Sequence, residues 1–335
     1  MHPVLWLTER GKRHQQRALQ AAPPELQVTI LRQPDSDTLR EQLRQAEFVI
    51  SERRGVIDAA FMLAAPKLRL IVRLGSLHHD IDLLAVRSVG VRLSCQPVFG
   101  AMMVAEHCVM MLLALLKTLP TAQMLTRVPQ RHQSRQRTDE DTFHYNWAGM
   151  GTVGGLAGKT VLIMGMGEIG IELVRRLQPF GLQHLYYHKR QRFPSSVEAA
   201  LGINYMAQPD YRQVDVLITL LPYSNETEHL IDRKVFYQLP RGAVVVQAGS
   251  GSTLDEEALV AALDSGHLGG VALDTFEYEP LHPDHPLVSL ANSPDSNVIL
   301  TPHIAAGTQF AQRMGDYDEI MRFLRGIPLR FEVKR

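Results

Sequence analysis

The 335-residue chain has only two cysteines, no excess of either charge, and no uninterrupted apolar run of bilayer length. Cys95 and Cys108 both lie among apolar residues, which excludes a disulfide framework and suggests reduced thiols and a cytoplasmic setting. Lys+Arg and Asp+Glu both number 35, so nothing in the charge balance points to nucleic acid or an anionic membrane. The longest apolar segment, residues 101–116, is interrupted by Glu106 and His107, so no membrane span is expected. The opening MHPVLWLTERGKR has an apolar run of only four residues, Val4 to Leu7, which reads as a core strand and not a signal peptide. His78-His79-x-x-Asp82 and His282-x-x-His285 offer imidazoles, but no second cluster is fixed relative to either, so no metal is expected. Arg131, His132, Arg135 and Arg137 could meet an anion, yet DEDT follows at once and makes the stretch self-neutralising.

What is present is length and alternation. A chain of this size, 45% hydrophobic, supports two cored domains. Short apolar runs at Val4–Leu7, Val28–Leu31, Phe48–Ser51, Leu70–Arg73 and Val91–Ser94 alternate with helical patterns such as 37–45, 57–65 and 81–88. That alternation indicates an α/β fold with a parallel sheet covered on both faces. A long helix over about 101–118 is expected to stop at Pro120, and residues 121–155 read as a polar excursion without period. From Lys159 a second series follows, VLIM, LYY, VLITLL, AVVVQA, GGVALD and NVILT.

The second series opens with GMGEIG, residues 165–170, between an apolar strand and a helix. In that context G-x-G-x-x-G is a dinucleotide fingerprint. Gly165 permits the tight turn, Gly167 lets backbone approach a pyrophosphate, and Gly170 lets helix pack on strand. Glu168 and Ile169 begin the helix, whose unpaired N–H groups favour an anion. The next strand ends in His188, Lys189 and Arg190, where an acid would hold a ribose 2′-hydroxyl. Cations there attract a 2′-phosphate, so NADP is favoured and NAD remains possible.

Together with VAEH (104–107), LDEEALVAALDSGHLGGVALDTFEYEP (254–280) and NVILTPHIA (297–305), the fingerprint resembles the D-isomer-specific 2-hydroxyacid dehydrogenase family over nearly the whole chain. The resemblance implies two Rossmann-like domains with a cleft between them. The substrate domain would be flavodoxin-like and discontinuous, 1–100 and 305–335, around a dinucleotide-binding domain at 101–304, with hinges near Gly100 and Ala305. It implies a 2-oxo or 2-hydroxy acid as small-molecule partner, and a homodimer formed through the coenzyme domain and the helix at 101–118. His303 matches the acid/base histidine and Glu279 its paired carboxylate, a pairing suited to proton delivery near neutral pH. Asp274 resembles the acceptor of the nicotinamide carboxamide; the alternative is a strand-end Asp capping the following turn. Leu220, Pro222 and Ala248 fall in segments lining the cofactor.

Three positions depart from the family pattern. In VVVQAGSGSTLDEEAL the position of the family's substrate-binding arginine is Ser250. Thr253 and Glu256, three apart, read as a capping box for the helix that follows. The loop expected to be G-x-G-x-D reads Gly75-Ser76-Leu77-His78-His79-Asp80, with Leu77 in place of the second glycine, and Gly100 stands at the usual hinge asparagine. Losing a buried charge-assisted bond costs about 2–5 kcal/mol of binding when its partner stays charged. Two readings follow. In one the enzyme works on an unusual substrate, with Arg53, Arg54, His78 or His79 replacing the arginine near Ser76. In the other the protein binds dinucleotide, is catalytically impaired, and acts as a sensor or interaction protein.

Overall fold

The structure, a computed structural model, describes residues 1–52, 55–127, 137–151, 153–293, 296–307 and 314–334. The chain divides into two compact units, one of Met1–Met102 with Ala306–Arg335 and one of Met103–Ala305.

The first unit holds β1 (His2–Leu7), β2 (Leu26–Leu31), β3 (Phe48–Ser51), β4 (Leu70–Leu74) and β5 (Arg92–Gln96) in the order β2-β1-β3-β4-β5, all parallel. Between them run α1 (Lys12–Gln20), α2 (Ser36–Gln45), α3 (Ala59–Ala64) and α4 (Leu83–Ser88). Every residue of β3 and β4 is buried, as a parallel strand covered on both faces requires. Leu5, Val49, Ile71 and Leu93 pack with Phe61, Met62, Ala85 and Val86 on one face. Val4, Trp6, Phe48, Ile50 and Val72 pack with Ala18, Tyr317 and Ile320 on the other. The C-terminal segment returns to β5, where Cys95 N–H donates to Phe331 O and Arg92 grips Glu332 with two bonds of 2.6 and 2.8 Å.

α5 (Phe99–Leu116) carries the boundary between the units. By length and composition it is apolar enough to cross a membrane, and 44% of it is buried. Its buried residues Ala101, Val104, Ala105, Cys108, Met111, Leu112 and Leu115 recur at helical spacing, the stripe of a core helix. Pro120 does not stop this helix. The helix is broken at Thr118, in the left-handed region at φ 45°, and Pro120 then sits in the first turn of α6 (Leu119–Arg127). A proline is tolerated there because a first-turn N–H has no helical partner to lose. Residues 121–127 are therefore helical rather than part of a polar excursion. Arg131, His132 and Arg135 lie outside the described residues.

The second unit is a seven-stranded parallel sheet of β6 (Thr160–Met164), β7 (His184–His188), β8 (Asn204–Tyr205), β9 (Val216–Thr219), β10 (Val244–Gln247), β11 (Gly270–Leu273) and β12 (Val298–Leu300). Its order is β12-β11-β10-β9-β6-β7-β8. Helices α7 (Glu168–Leu177), α8 (Ser195–Leu201), α9 (Arg233–Gln238), α10 (Glu256–Asp264) and α11 (Pro286–Asn292) connect the strands; α12 (Asp318–Leu324) belongs to the first unit. The sequence order turns back between β6 and β9. In open α/β sheets that reversal opens a crevice at the carboxyl ends of the strands, where ligands bind.

Candidate active site

The glycine fingerprint lies at this reversal. Gly165 leaves β6 at φ 91°, and a Cβ there would stand 2.8 Å from the Leu220 carbonyl carbon at the end of β9. A Cβ on Gly249, after β10, would stand 2.6 Å from Leu221 N and O. The Leu220–Leu221 backbone thus crosses between two residues that can have no side chain. Gly167 has open space where its Cβ would be, and it begins α7 with no side-chain cap. The first-turn amides of this ten-residue helix, with room above Gly167, fit a pyrophosphate. Gly170 acts differently from the sequence expectation: its Cβ would meet Met166 Sδ at 2.6 Å and Gly165 O at 3.2 Å, so it relieves the fingerprint turn rather than a helix–strand contact. Pro222 O accepts from Thr227 Oγ1, and Ala248 N–H donates to Thr219 O, fixing the remaining expected cofactor segments.

The three basic residues after β7 are placed unequally. His188 Nδ1 lies 2.8 Å from Met206 O, and its ring is parallel to Tyr205. Lys189 Nζ lies 3.8 Å over the Phe193 ring. Arg190 is exposed and sits 3.6 Å from an equally exposed Glu226, an acid the sequence reading did not associate with it.

At the far strands, His303 and Glu279 come together. His303 Nδ1 is 2.7 Å from Glu279 Oε2, and Glu279 Oε1 accepts from Phe276 N–H at 3.1 Å. With Nδ1–H donating to the carboxylate, Nε2 is the nitrogen left for proton transfer. His303 has φ 54°, a strained conformation for a residue with a side chain, of the kind that persists only when its surroundings enforce it. The enforcement comes from Asp274, which is buried after β11. Its Oδ1 accepts from Thr301 Oγ1 at 2.6 Å and Ile304 N–H at 3.0 Å, and its Oδ2 from Ala305 N–H at 2.9 Å. His107, in VAEH, adds Nε2 at 3.0 Å from Thr301 Oγ1. Asp274 is thus engaged with the His303 loop after β12, not with the turn that follows its own strand.

Ser250 sits in a turn bound to the Glu279 loop. Its N–H donates to Leu221 O, and its carbonyl accepts from Gln247 Nε2 and Thr253 Oγ1, each at 2.7 Å. Thr275 Oγ1 donates to Gly249 O, and a Cβ on Gly251 would fall 1.9 Å from Phe276 O. The capping box expected from Thr253 and Glu256 does not form. Asp255 is the N-cap, accepting from Ala258 N–H, because Thr253 is drawn into a 3-10 turn toward Ser250. Glu256 instead turns to Glu277 N–H and His285. Gln247, Glu256, His285 and His107 were missed as site neighbours; their chain separations from His303 and Glu279 give no local signal.

In the first unit, Ser76, Leu77 and His78 follow β4. Gly75 N–H donates to Gln96 O, Ile81 N–H donates to His78 O, and the buried Arg73 holds Asp80 at 2.8 Å, which fixes both ends of this loop. Arg53 and Arg54 lie outside the described residues. Among the described residues no three His, Cys, Asp or Glu side chains are grouped to hold a metal; His282 faces Asp284 and His285 faces Glu256.

Residues 110–305 match the profile described as D-isomer specific 2-hydroxyacid dehydrogenase, NAD binding domain. The chain is 31% identical over 278 residues to a glyoxylate reductase of Aeropyrum pernix, covering 82% of this chain and 78% of the relative. It is 31% identical over 283 residues to glyoxylate/hydroxypyruvate reductase B of Klebsiella pneumoniae, covering 84% and 82%. Among solved structures, the PH0520 protein of Pyrococcus horikoshii matches with a TM-score of 0.58 at 26% identity, covering 100% of this chain and 96% of that one.

Proposed function

This chain belongs to the D-isomer-specific 2-hydroxyacid dehydrogenase family, and from that premise we propose that it reduces a 2-oxo acid to the 2-hydroxy acid with NADPH as the preferred coenzyme. The observation that carries the reading is the 2.7 Å His303–Glu279 contact, which follows the carboxyl ends of strands in the same parallel sheet as the glycine fingerprint. A reduced nicotinamide, when bound, supplies the hydride. The chain's own residues supply the rest. Gly165, Gly167, Glu168, Ile169 and Gly170 would hold the pyrophosphate, with Leu220, Pro222 and Ala248 beside the ribose and nicotinamide. Glu279 stabilises the His303 imidazolium and fixes its tautomer, and His303 Nε2–H delivers the proton to the developing alkoxide. Asp274 holds the imidazole loop in place and keeps lone pairs that a carboxamide could still meet.

NADP preference rests on Arg190 and Lys189; of these, the exposed Arg190 is the freer to fork onto a 2′-phosphate. The substrate carboxylate would be received by the N–H groups of Ser76, Leu77 and His78, with Arg53 as the replacement cation. We assign residues 1–100 and 305–335 to this substrate side. The partly exposed apolar flank of α5, with Met110 half exposed, supports a homodimer. Ser250 favours the second reading, an impaired dinucleotide binder acting as a sensor or interaction protein, because no charge remains at the arginine position. The experiment is a panel of 2-oxo acids with NADPH and with NADH. Turnover of some acid, lost in His303→Ala, supports the enzyme; dinucleotide binding with no turnover of any acid supports the sensor.

A further inference from the structure

Between Leu273 and Pro286 the chain has no regular secondary structure, yet it must present Glu279 to His303 at 2.7 Å. Glu279 fixes only its own neighbourhood, through Phe276 N–H. Among the contacts that hold the segment from outside, one carboxylate reaches it at two points. Glu256, on the first turn of α10, is buried; its Oε1 accepts from Glu277 N–H at 2.9 Å and its Oε2 lies 3.2 Å from His285 Nε2. A first-turn glutamate ordinarily stays in water beside the helix amides, where it already meets a favourable field. This one is instead desolvated to bind the segment at two points flanking Glu279, two residues before it and six after it.

The His285 ring has a defined role in this clamp. Its Nδ1 accepts Leu287 N–H at 3.3 Å as the N-cap of α11, so that nitrogen carries no proton. Nε2 then carries the hydrogen and donates to Glu256. The ring joins the segment's far end to α10 on one side and starts α11 on the other. A third contact, His229 Nε2 at 3.2 Å from Glu277 Oε2, ties the same segment to the chain beside the Ser250 turn, where His229 N–H donates to Ser252 O.

We propose that Glu256, acting with His285, is a positioning residue for the proton-transfer pair: it fixes the 275–285 segment so that Glu279 reaches His303. The inference rests on the reading of His303 as the acid/base group. Glu256 touches neither substrate nor coenzyme; its effect passes through main chain.

The test uses the full-length protein with Glu256→Ala, Glu256→Asp and Glu256→Gln. Alanine removes both acceptors, and aspartate, one methylene shorter, cannot span them. Displacing a reacting group by an ångström costs about 100-fold in rate, so kcat should fall about 10- to 100-fold in Glu256→Ala and less in Glu256→Asp. NADPH affinity and substrate KM should stay near wild type, because the fingerprint is untouched. Glu256→Gln keeps an acceptor for Glu277 N–H but sets its NH2 against the His285 Nε2–H, so its kcat should fall between Glu256→Ala and wild type. The structural readout is the His303 Nδ1 proton by NMR: the low-field signal expected of a proton shared with Glu279 should weaken or exchange faster in Glu256→Ala and Glu256→Asp. Lower melting temperature with an unchanged His303 signal and unchanged kcat would overturn the proposal and leave Glu256 a purely structural residue. If Glu256→Ala does not fold, Glu256→Asp decides on the same criteria. If the wild type turns over no oxo acid, the functional reading fails, and the NMR signal still decides whether Glu256 sets the pair.

Discussion

Gly251→Ala is a one-carbon substitution that should damage the site without removing a polar side chain. Gly251 lies between the Ser250 turn and the Glu279 segment, and its added Cβ would fall 1.9 Å from Phe276 O, 2.0 Å from Phe276 C and 2.7 Å from Glu277 N. All three are backbone atoms, so no side chain can rotate away. Ordinary contact begins near 3.4 Å, so the segment must retreat by about 1.5 Å. The backbone at Gly251 is not in the left-handed region, so the penalty is steric alone. Overpacking of this kind costs about 1–3 kcal/mol of stability. The larger effect should be kinetic: Glu279 is three residues from Phe276, and misplacing a reacting group by an ångström costs about 100-fold. The assay is kcat with the best oxo acid of the panel, alongside NADPH titration by fluorescence. The expectation is a fall in kcat of about two orders of magnitude with dinucleotide affinity retained. A kcat close to wild type in a folded Gly251→Ala protein would refute the claim that this backbone contact sets the position of Glu279.

Other expectations follow from the same geometry. Ser250→Arg restores the cation at the family position and should strengthen oxo-acid binding by about 2–5 kcal/mol, read as KM for glyoxylate; a fall in activity would mean that Ser250 suits a different ligand. Arg190→Ala should weaken NADPH on the order of tenfold or more with little effect on NADH, and Glu226→Gln should do the reverse by releasing Arg190; equal effects on both coenzymes would remove Arg190 from the 2′-phosphate. Burial holds the Glu256 carboxyl above the ordinary value of 4.5. A raised folded-state value gives stability that is full below the unfolded value and is lost as pH rises through the folded one. The melting temperature of Glu256→Gln relative to wild type should therefore rise as pH increases above the ordinary carboxyl value, and a difference independent of pH would contradict the desolvation argument.

The alternation of apolar strands with helices was legible because parallel strands buried on both faces leave nearly continuous apolar runs, as FVIS and LIVRL do. The glycine fingerprint was legible because its demands are local: Gly165 needs φ 91° and cannot accept a Cβ beside Leu220. Non-local demands were not. Thr253 and Glu256 have the spacing of a capping box, but a carboxylate at Asp255 stood one residue before Glu256, and Glu256 had partners about 20 and 30 residues away. A proline can stop one helix or sit in the first turn of the next, and which role Pro120 takes depends on Thr118 turning left-handed, which is not written in local spacing. Asp274 could be read locally only as capping the turn after its own strand; its bonds instead reach about 30 residues on and fix the strained His303.

The most direct measurement is NADPH consumption with the 2-oxo-acid panel, run on wild type and His303→Ala with coenzyme affinity measured for both. The account predicts turnover of at least one acid by the wild type, and loss of that turnover in His303→Ala while NADPH still binds. Turnover undiminished without the imidazole, or a wild-type protein that binds neither NADPH nor NADH, would contradict it.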